Sequence, residues 1–312
     1  MRLLAINFIL FFVTVSSVVR AEWPMSNDPN FDISVEKPMY PSSKGPKILL
    51  DGGHHNFFIQ WRFTEPFANL LKADGYQTVV DDKPFTTDYL AQFDIVVIIT
   101  ALPFDFTTKV EVTTETTFTE QEIRTLYEWV DKGGSLLVFS EHAPFDQAIN
   151  PLLSQFGIVS SVGTIADGKH HDKSFGQSGW IVYSRENGLL NSEHPIIKGR
   201  NESEAVYKLL TFGGSSLTGE GYTNILKLSP SAKNLQHPTG VGPIGMGNSQ
   251  GLAGVIGKGR VVAFGDSNGF TAMRFKLENE ASISAGMNTK DYDWKNMVLN
   301  TLHWISGELP AK

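Results

Sequence analysis

An α/β fold built on an open, mainly parallel sheet follows from three features of the sequence. Short, β-branched apolar runs recur as KILLD (47–51), QTVVD (77–81), DIVVIIT (94–100) and SLLVFSE (135–141). The segments between them carry helix caps and apolar residues at helical spacing. The runs themselves are nearly continuous in apolar residues, which suits strands covered on both faces. Strand, helix and strand in alternation make βαβ units, whose right-handed crossovers build a parallel sheet.

The elements follow in chain order. Residues 1–21, MRLLAINFILFFVTVSSVVRA, combine Arg2, an apolar stretch from Leu3 to Val19 and small Ala21. They read as a signal peptide cut after Ala21, with an uncleaved anchor as the alternative; about 17 apolar residues is the lower edge of a membrane span. Export to a periplasm or the exterior, with no stable membrane insertion of the mature chain, is therefore the expectation. Residues 22–46 are rich in Pro, Ser, Asn and Asp and read as an irregular arm. A single α/β domain is expected over 47–312.

Thr64 and Pro66 predict a helix start, followed by Phe67, Leu70 and Leu71 at helical spacing and stopped by Gly75. Thr119-Glu120-Gln121-Glu122 matches a capping box before Ile123, Leu126, Tyr127 and Val130, and Gly133-Gly134 ends that helix. Pro151 conflicts with a helix over 145–156, so Asn150 is read as the cap of a second, shorter helix. WIVYS (180–184), AVYKLLTF (205–212) and NILKLS (224–229) look like strands, although whether 157–250 extends the sheet or covers it stays open. LAGVIGKGRVVAFGD (252–266) predicts a hairpin through Gly257-Lys258-Gly259. A closing helix runs from about Asp293 to Ser306.

Composition removes several function classes. The 312 residues hold 26 Lys+Arg against 33 Asp+Glu, a formal charge of −7. That lacks the basic excess of a phosphate-backbone binder, so nucleic acid is not an expected partner. There is no cysteine, which excludes disulfides, thiolate metal sites and a cysteine nucleophile. No phosphate loop, dinucleotide fingerprint or Gly-x-Ser-x-Gly elbow is present.

In an open parallel sheet the site lies beyond the carboxyl ends of the strands. Three segments qualify: Asp51-Gly52-Gly53-His54-His55-Asn56, Ser140-Glu141-His142 and Gly265-Asp266-Ser267-Asn268. If the first and fourth strands are neighbours, Glu141 and His142 meet His54 and His55. Such a group could do acid/base work, because a carboxylate tunes a neighbouring imidazole. On this reading Glu141, His142 and His54 are the catalytic candidates, and His55, Asn56, Asp266 and Asn268 the ligand-binding ones. The same donors leave a divalent metal open, although His54-His55 lacks the spacing of a strong zinc motif. His170-His171-Asp172 reads as a solvated loop, and His303 as a packed or capping residue.

KILLDGGHHNFF, LLKADGYQTVV, DIVVIITAL, WVDKGGSLLVFSEHAPF, GKGRVVAFGDSN and NMVLNTLHWISG, in that order, resemble exported bacterial proteins of the class I glutamine amidotransferase-like superfamily. Related to that group are GldG-type gliding-motility proteins and the N-terminal domain of an intraflagellar transport protein. The resemblance implies a three-layer, flavodoxin-like sandwich. In true amidotransferases a cysteine stands on the elbow after a central strand; this chain offers Ser140, Glu141 and His142 there, which rules out glutaminase chemistry. The expectation is a hydrolase-like acid/base enzyme acting on an extracytoplasmic small molecule or glycan. The alternative is a non-catalytic ligand-binding or envelope-assembly module of the same fold.

Overall fold

A computed structural model describes residues 25–106, 116–238, 240–276 and 282–311. The proposed signal peptide lies outside these residues. Among the described residues nine strands form the central sheet: β1 (Lys47–Asp51), β2 (Gln77–Asp81), β3 (Ile95–Ile98), β4 (Ser135–Phe139), β5 (Ile158–Ser160), β6 (Leu217–Gly219), β7 (Thr223–Lys227), β8 (Ser249–Ile256) and β9 (Gly259–Phe264). Their order is β2-β1-β3-β4-β9-β8-β6-β5, with β7 also paired to β8. The five strands from β2 to β9 are parallel; β8, β6, β5 and β7 extend them in antiparallel fashion.

Side chains alternate across a strand, and the two faces of this sheet bury separate sets. Ile48, Leu50, Val97, Leu137, Phe139, Val262 and Phe264 join one core with helices α1 (Glu65–Ala73) and α4 (Trp294–Ile305). Leu49, Val96, Ile98, Leu136, Val138 and Val261 join the other with α2 (Glu120–Asp131) and α3 (Phe145–Gln155). Helices on both faces make the chain a three-layer α/β sandwich, as its sequence predicts. Burying each of these Leu, Ile or Val side chains is worth about 1.5–3 kcal/mol, which makes this layered partition the main driving force for the fold.

Local signals mostly resolve as read. Thr119 and Glu122 form both halves of the capping box. The β8–β9 hairpin closes through Gly257-Lys258, because Ile256 pairs with Gly259. Gly257 has φ +55°, and a Cβ there would lie 2.3 Å from an Asp131 carboxylate oxygen, so glycine is required twice over.

Four expectations are corrected. First, α3 runs unbroken through Pro151. Asn150 is not a cap: its amide accepts from Ser160 N at 3.0 Å and donates to Ser160 O at 3.1 Å, pinning β5 to the helix. Second, β2 is not covered on both faces; it is a sheet edge, and Val80 is 59% exposed. Third, the arm includes a strand, Met25–Asn27, paired with Ala272–Lys276. Fourth, β3 lies between β1 and β4, so the first and fourth strands are not neighbours. Within 157–250, β5, β6 and β7 extend the sheet. Thr164–Ala166 pairs with Lys233–Leu235, and Val182–Ser184 with Lys208–Leu210, as two separate ribbons.

Candidate functional site

The strand order divides the sequence candidates into two clusters. The first lies at the end of β1. Asp51 is fully buried and receives His54 Nδ1 at 2.9 Å and the Asn56 amide at 2.9 Å. Asn56 in turn accepts from Ile99 N at 2.7 Å, tying the β1 loop to the end of β3. The other His54 nitrogen, Nε2, meets Glu122 at 3.1 Å. Phe85 and Phe118 pack on the ring, with centroids 4.8 and 4.2 Å away. Burial pushes the His54 pKa down, but the hydrogen bond and charge of Asp51, then those of Glu122, outweigh it and hold the ring above its ordinary value. Both nitrogens are thus spent on protein carboxylates. His55, with φ +44°, points elsewhere and meets Gln60 at 3.4 Å.

The second cluster joins β4 to its true neighbour, β9. Glu141 follows the central strand β4 with φ +54°, a conformation that costs a non-glycine residue on the order of 1 kcal/mol or more. Its carboxylate accepts from Ser267 N at 2.9 Å, Ser267 Oγ at 2.7 Å, the Asn268 amide at 3.3 Å and His142 N at 2.9 Å. Four donors compensate the burial of a carboxylate that is 2% exposed. The His142 ring is 27% exposed; its Nδ1 lies 2.9 Å from Ala143 O and its Nε2 3.6 Å from Glu141. With Nδ1–H donated to that carbonyl, Nε2 is the nitrogen left for proton exchange.

Two further carboxyls complete the cluster. Asp266, fully buried, accepts from Phe212 N at 2.7 Å and Asn268 N at 3.0 Å. Burial, reinforced by the charge on Glu141, pushes its pKa well above the carboxylate range against those two hydrogen bonds. Asp146, in the first turn of α3, accepts from Gln147 N and Gly163 N. Burial raises it to about 7. The sequence reading named Asp266 but missed Asp146, whose only signal was its place three residues after His142's neighbour Ala143. It also missed His237, 95 residues away, which stacks on His142.

The expected meeting of His54 and His55 with Glu141 and His142 does not occur; each cluster is tied to its own neighbouring strand. Among the described residues no three His, Asp or Glu side chains are arranged to hold a metal ion. A depression of about 500 Å³ lined by Arg185, Lys198, Arg200 and Glu202 is remote from this chemistry. One of its lining residues, Arg200, donates to Lys37 O at 2.7 Å.

His170 and His171 lie in a part-exposed loop, as read, but are also anchored within it. Both bond to Asp167, His170 through Nδ1 to the carboxylate at 2.9 Å and His171 through Nδ1 to the carbonyl at 3.1 Å. His303 is a buried partner of Asp74 at 2.7 Å, in keeping with a packed residue.

No protein-family model matches the chain, and no curated protein sequence matches it. Among solved structures it is similar to the N-terminal domain of mmIFT52, at 14% identity and a TM-score of 0.54, covering 83% of this chain and 97% of that one. This is a likeness of fold, and it agrees with the α/β fold expected from the sequence. A ThuA-like protein from Bacteroides uniformis follows at 12% identity and a TM-score of 0.44, over 86% of this chain and 94% of that one. The exo-beta-1,4-mannosidase Op5Man5 from Opitutaceae bacterium strain TAV5 scores 0.36 at 14% identity, over 72% of this chain and 31% of that one. Scores this low carry no weight for function.

Proposed function

We propose that the Glu141–His142 cluster is the acid/base site of an exported, hydrolase-like enzyme acting on an extracytoplasmic small molecule or glycan. The observation that carries this reading is Glu141 itself. A non-glycine residue is kept at positive φ, directly after the central parallel strand, with a partly exposed imidazole beside it. Strain of this kind persists where the surroundings over-determine it, and it concentrates at functional sites. Two carboxyls shifted upward by burial, Asp146 and Asp266, stand around the same point, as acid/base sites require.

The roles follow from accessibility. His142 Nε2 exchanges the proton with substrate or water, and its Nδ1–H, held by Ala143 O, keeps the tautomer. Glu141 is buried and saturated, so it positions His142 and offers a negative charge 3.6 Å from Nε2. Asn268 and Asp266 line the β9 side. Assignment to the exported branch near GldG-type proteins rests on the N-terminal segment and the order of motifs. A partner of small-molecule or glycan type, rather than nucleic acid, rests on the acidic balance.

The second reading, a ligand-binding or assembly module without turnover, is favoured by one observation. All four donors to Glu141 come from the protein, as in a staple that closes the top of the sheet. The two readings separate in one experiment. Wild type and His142→Gln are assayed against a panel of chromogenic glycosides and esters across about pH 5–8, the range in which a histidine acid/base works. Turnover in wild type, lost by on the order of 100-fold in a folded His142→Gln chain, supports the enzyme. Turnover that His142→Gln leaves untouched removes His142 from the chemistry, and no turnover anywhere in the panel favours the module.

A further inference from the structure

Asp167, at the end of the Thr164–Ala166 ribbon strand, is 1% exposed and satisfied entirely by neighbours. One carboxylate oxygen accepts from Lys169 N at 2.8 Å and Ser231 Oγ at 2.8 Å; the other accepts from Ser229 Oγ and from His170 Nδ1 at 2.9 Å. Burial opposes the charge of Asp167. The hydrogen bonds from Ser229, Lys169, Ser231 and His170 overcome that and hold its pKa below the carboxylate range. Asp167 therefore stays ionised.

His170 is the more accessible half of the pair. With Nδ1–H given to a buried anion, the lone pair stands on Nε2 at the far side of a ring that is 30% exposed. No hydrogen bond among the described residues holds that atom. A buried carboxylate that fixes the tautomer and stabilises an imidazolium is the orienting half of a histidine general base. Neither serine serves as nucleophile, because both hydroxyls donate to Asp167. The charged neighbours on the loop are Lys169, His171, Asp172 and Lys173. Asp172 is in turn bonded by Tyr292 OH and influenced by Lys208. Beside the loop, Phe175, Trp180 and Phe212 pack ring to ring, at centroid distances of 4.6 and 5.2 Å, and Trp180 O accepts from Asp172 N at 2.9 Å.

We propose that Asp167 and His170 form a second acid–base dyad, separate from Glu141–His142, that activates water against an ester carrying an aromatic group. A glycoside is a poorer fit, since its hydrolysis calls for two carboxyl groups at the scissile bond and Asp167 is already committed. In the step, the water oxygen forms a bond to the carbonyl carbon while His170 Nε2 takes one water proton. The carbon–oxygen bond to the leaving group then breaks, and Nε2 returns its proton to the departing alkoxide. With p-nitrophenolate as leaving group the anion departs unprotonated and the proton passes to solvent.

The test uses p-nitrophenyl acetate with the full mature chain. His170→Gln should lower the rate at least tenfold, and Asp167→Asn should lower it as well. His171→Gln, on the same loop, should stay within about twofold of wild type, which separates the dyad from simple loop support. Asp167→Asn tests folding as much as chemistry, so a second measurement is made on wild type alone. Its ¹⁵N NMR shifts should place the His170 proton on Nδ1. An unchanged rate in His170→Gln, an equal loss in His171→Gln, or a neutral His170 protonated on Nε2 would each overturn the dyad.

Discussion

His142 stacks on His237 with ring centroids 4.5 Å apart and planes only 16° from parallel. Burial, and then the charge of His142, push His237 down to about 3. Above that pH the partly exposed His142 ring therefore rests against a neutral imidazole supplied from a distant loop.

The first prediction concerns this pair. His142→Gln removes the charge but not the burial, so the pKa of His237 should rise yet stay below its ordinary value of 6.5. An NMR pH titration of His237 in both chains reads the change, and a fall instead of a rise would refute the stated cause.

Asp146 should titrate near 7, as followed by the ¹³C shift of its carboxyl carbon. Glu141 raises it and His142 lowers it, so Glu141→Gln should move it down and His142→Gln up. The sign for stability follows: a folded value above the unfolded one means the folded chain binds the extra proton. This contribution is complete below about 3.8 and is lost as pH rises through about 7. Urea denaturation of wild type at both ends of that interval, compared with Asp146→Ala, isolates it.

His54→Gln should cost on the order of 3 kcal/mol, chiefly because Asp51 is left buried without its imidazole partner, while Glu122 is only partly buried. The pH dependence has two limbs. His54 is raised, so its stabilisation is full below 6.5 and is lost as pH rises through its higher folded value. Glu122 is lowered despite burial, through Thr119 and then His54, so its share is present above 4.5 and lost as pH falls through its lower folded value. The gap between wild type and variant in chemical denaturation should therefore be widest between 4.5 and 6.5.

Gly214→Ala probes the support of the β9 loop. Gly214 has φ +72°, and a Cβ there would lie 2.0 Å from Gly265 O and 3.0 Å from the Asp266 Cβ. The substitution should cost more than about 2 kcal/mol by combining backbone strain with a clash against main chain. It should also shift the Phe212 amide resonance, since Phe212 N bonds the Asp266 carboxylate.

The expectation of a His54–Glu141 constellation failed for a definite reason. Both residues do follow parallel strands, and both are buried at strand ends, as KILLD and SLLVFSE imply. Which strands lie side by side is a matter of crossover order, and β3 takes the place between them. Asp146, His237 and Asp167 were out of reach for a related reason: the bond of Asp146 to Gly163, the stack of His237 on His142 and the bond of Ser229 to Asp167 are set by packing between segments that are not adjacent in the chain.

What the amino-acid order determined by itself is local. Alternating faces of β-branched runs, the Thr119–Glu122 box and the Gly257-Lys258 turn depend on residues within one element, where side-chain geometry acts through a few bonds. Tertiary structure alone decided that Glu141 faces Ser267 and Asn268, that His54 is clasped between two carboxylates, and that Ser229 and Ser231 reach Asp167 from 62 and 64 residues away. Those outcomes depend on burial and on donors brought from elsewhere in the chain, and a carboxylate or imidazole takes its character from what surrounds it once water is excluded.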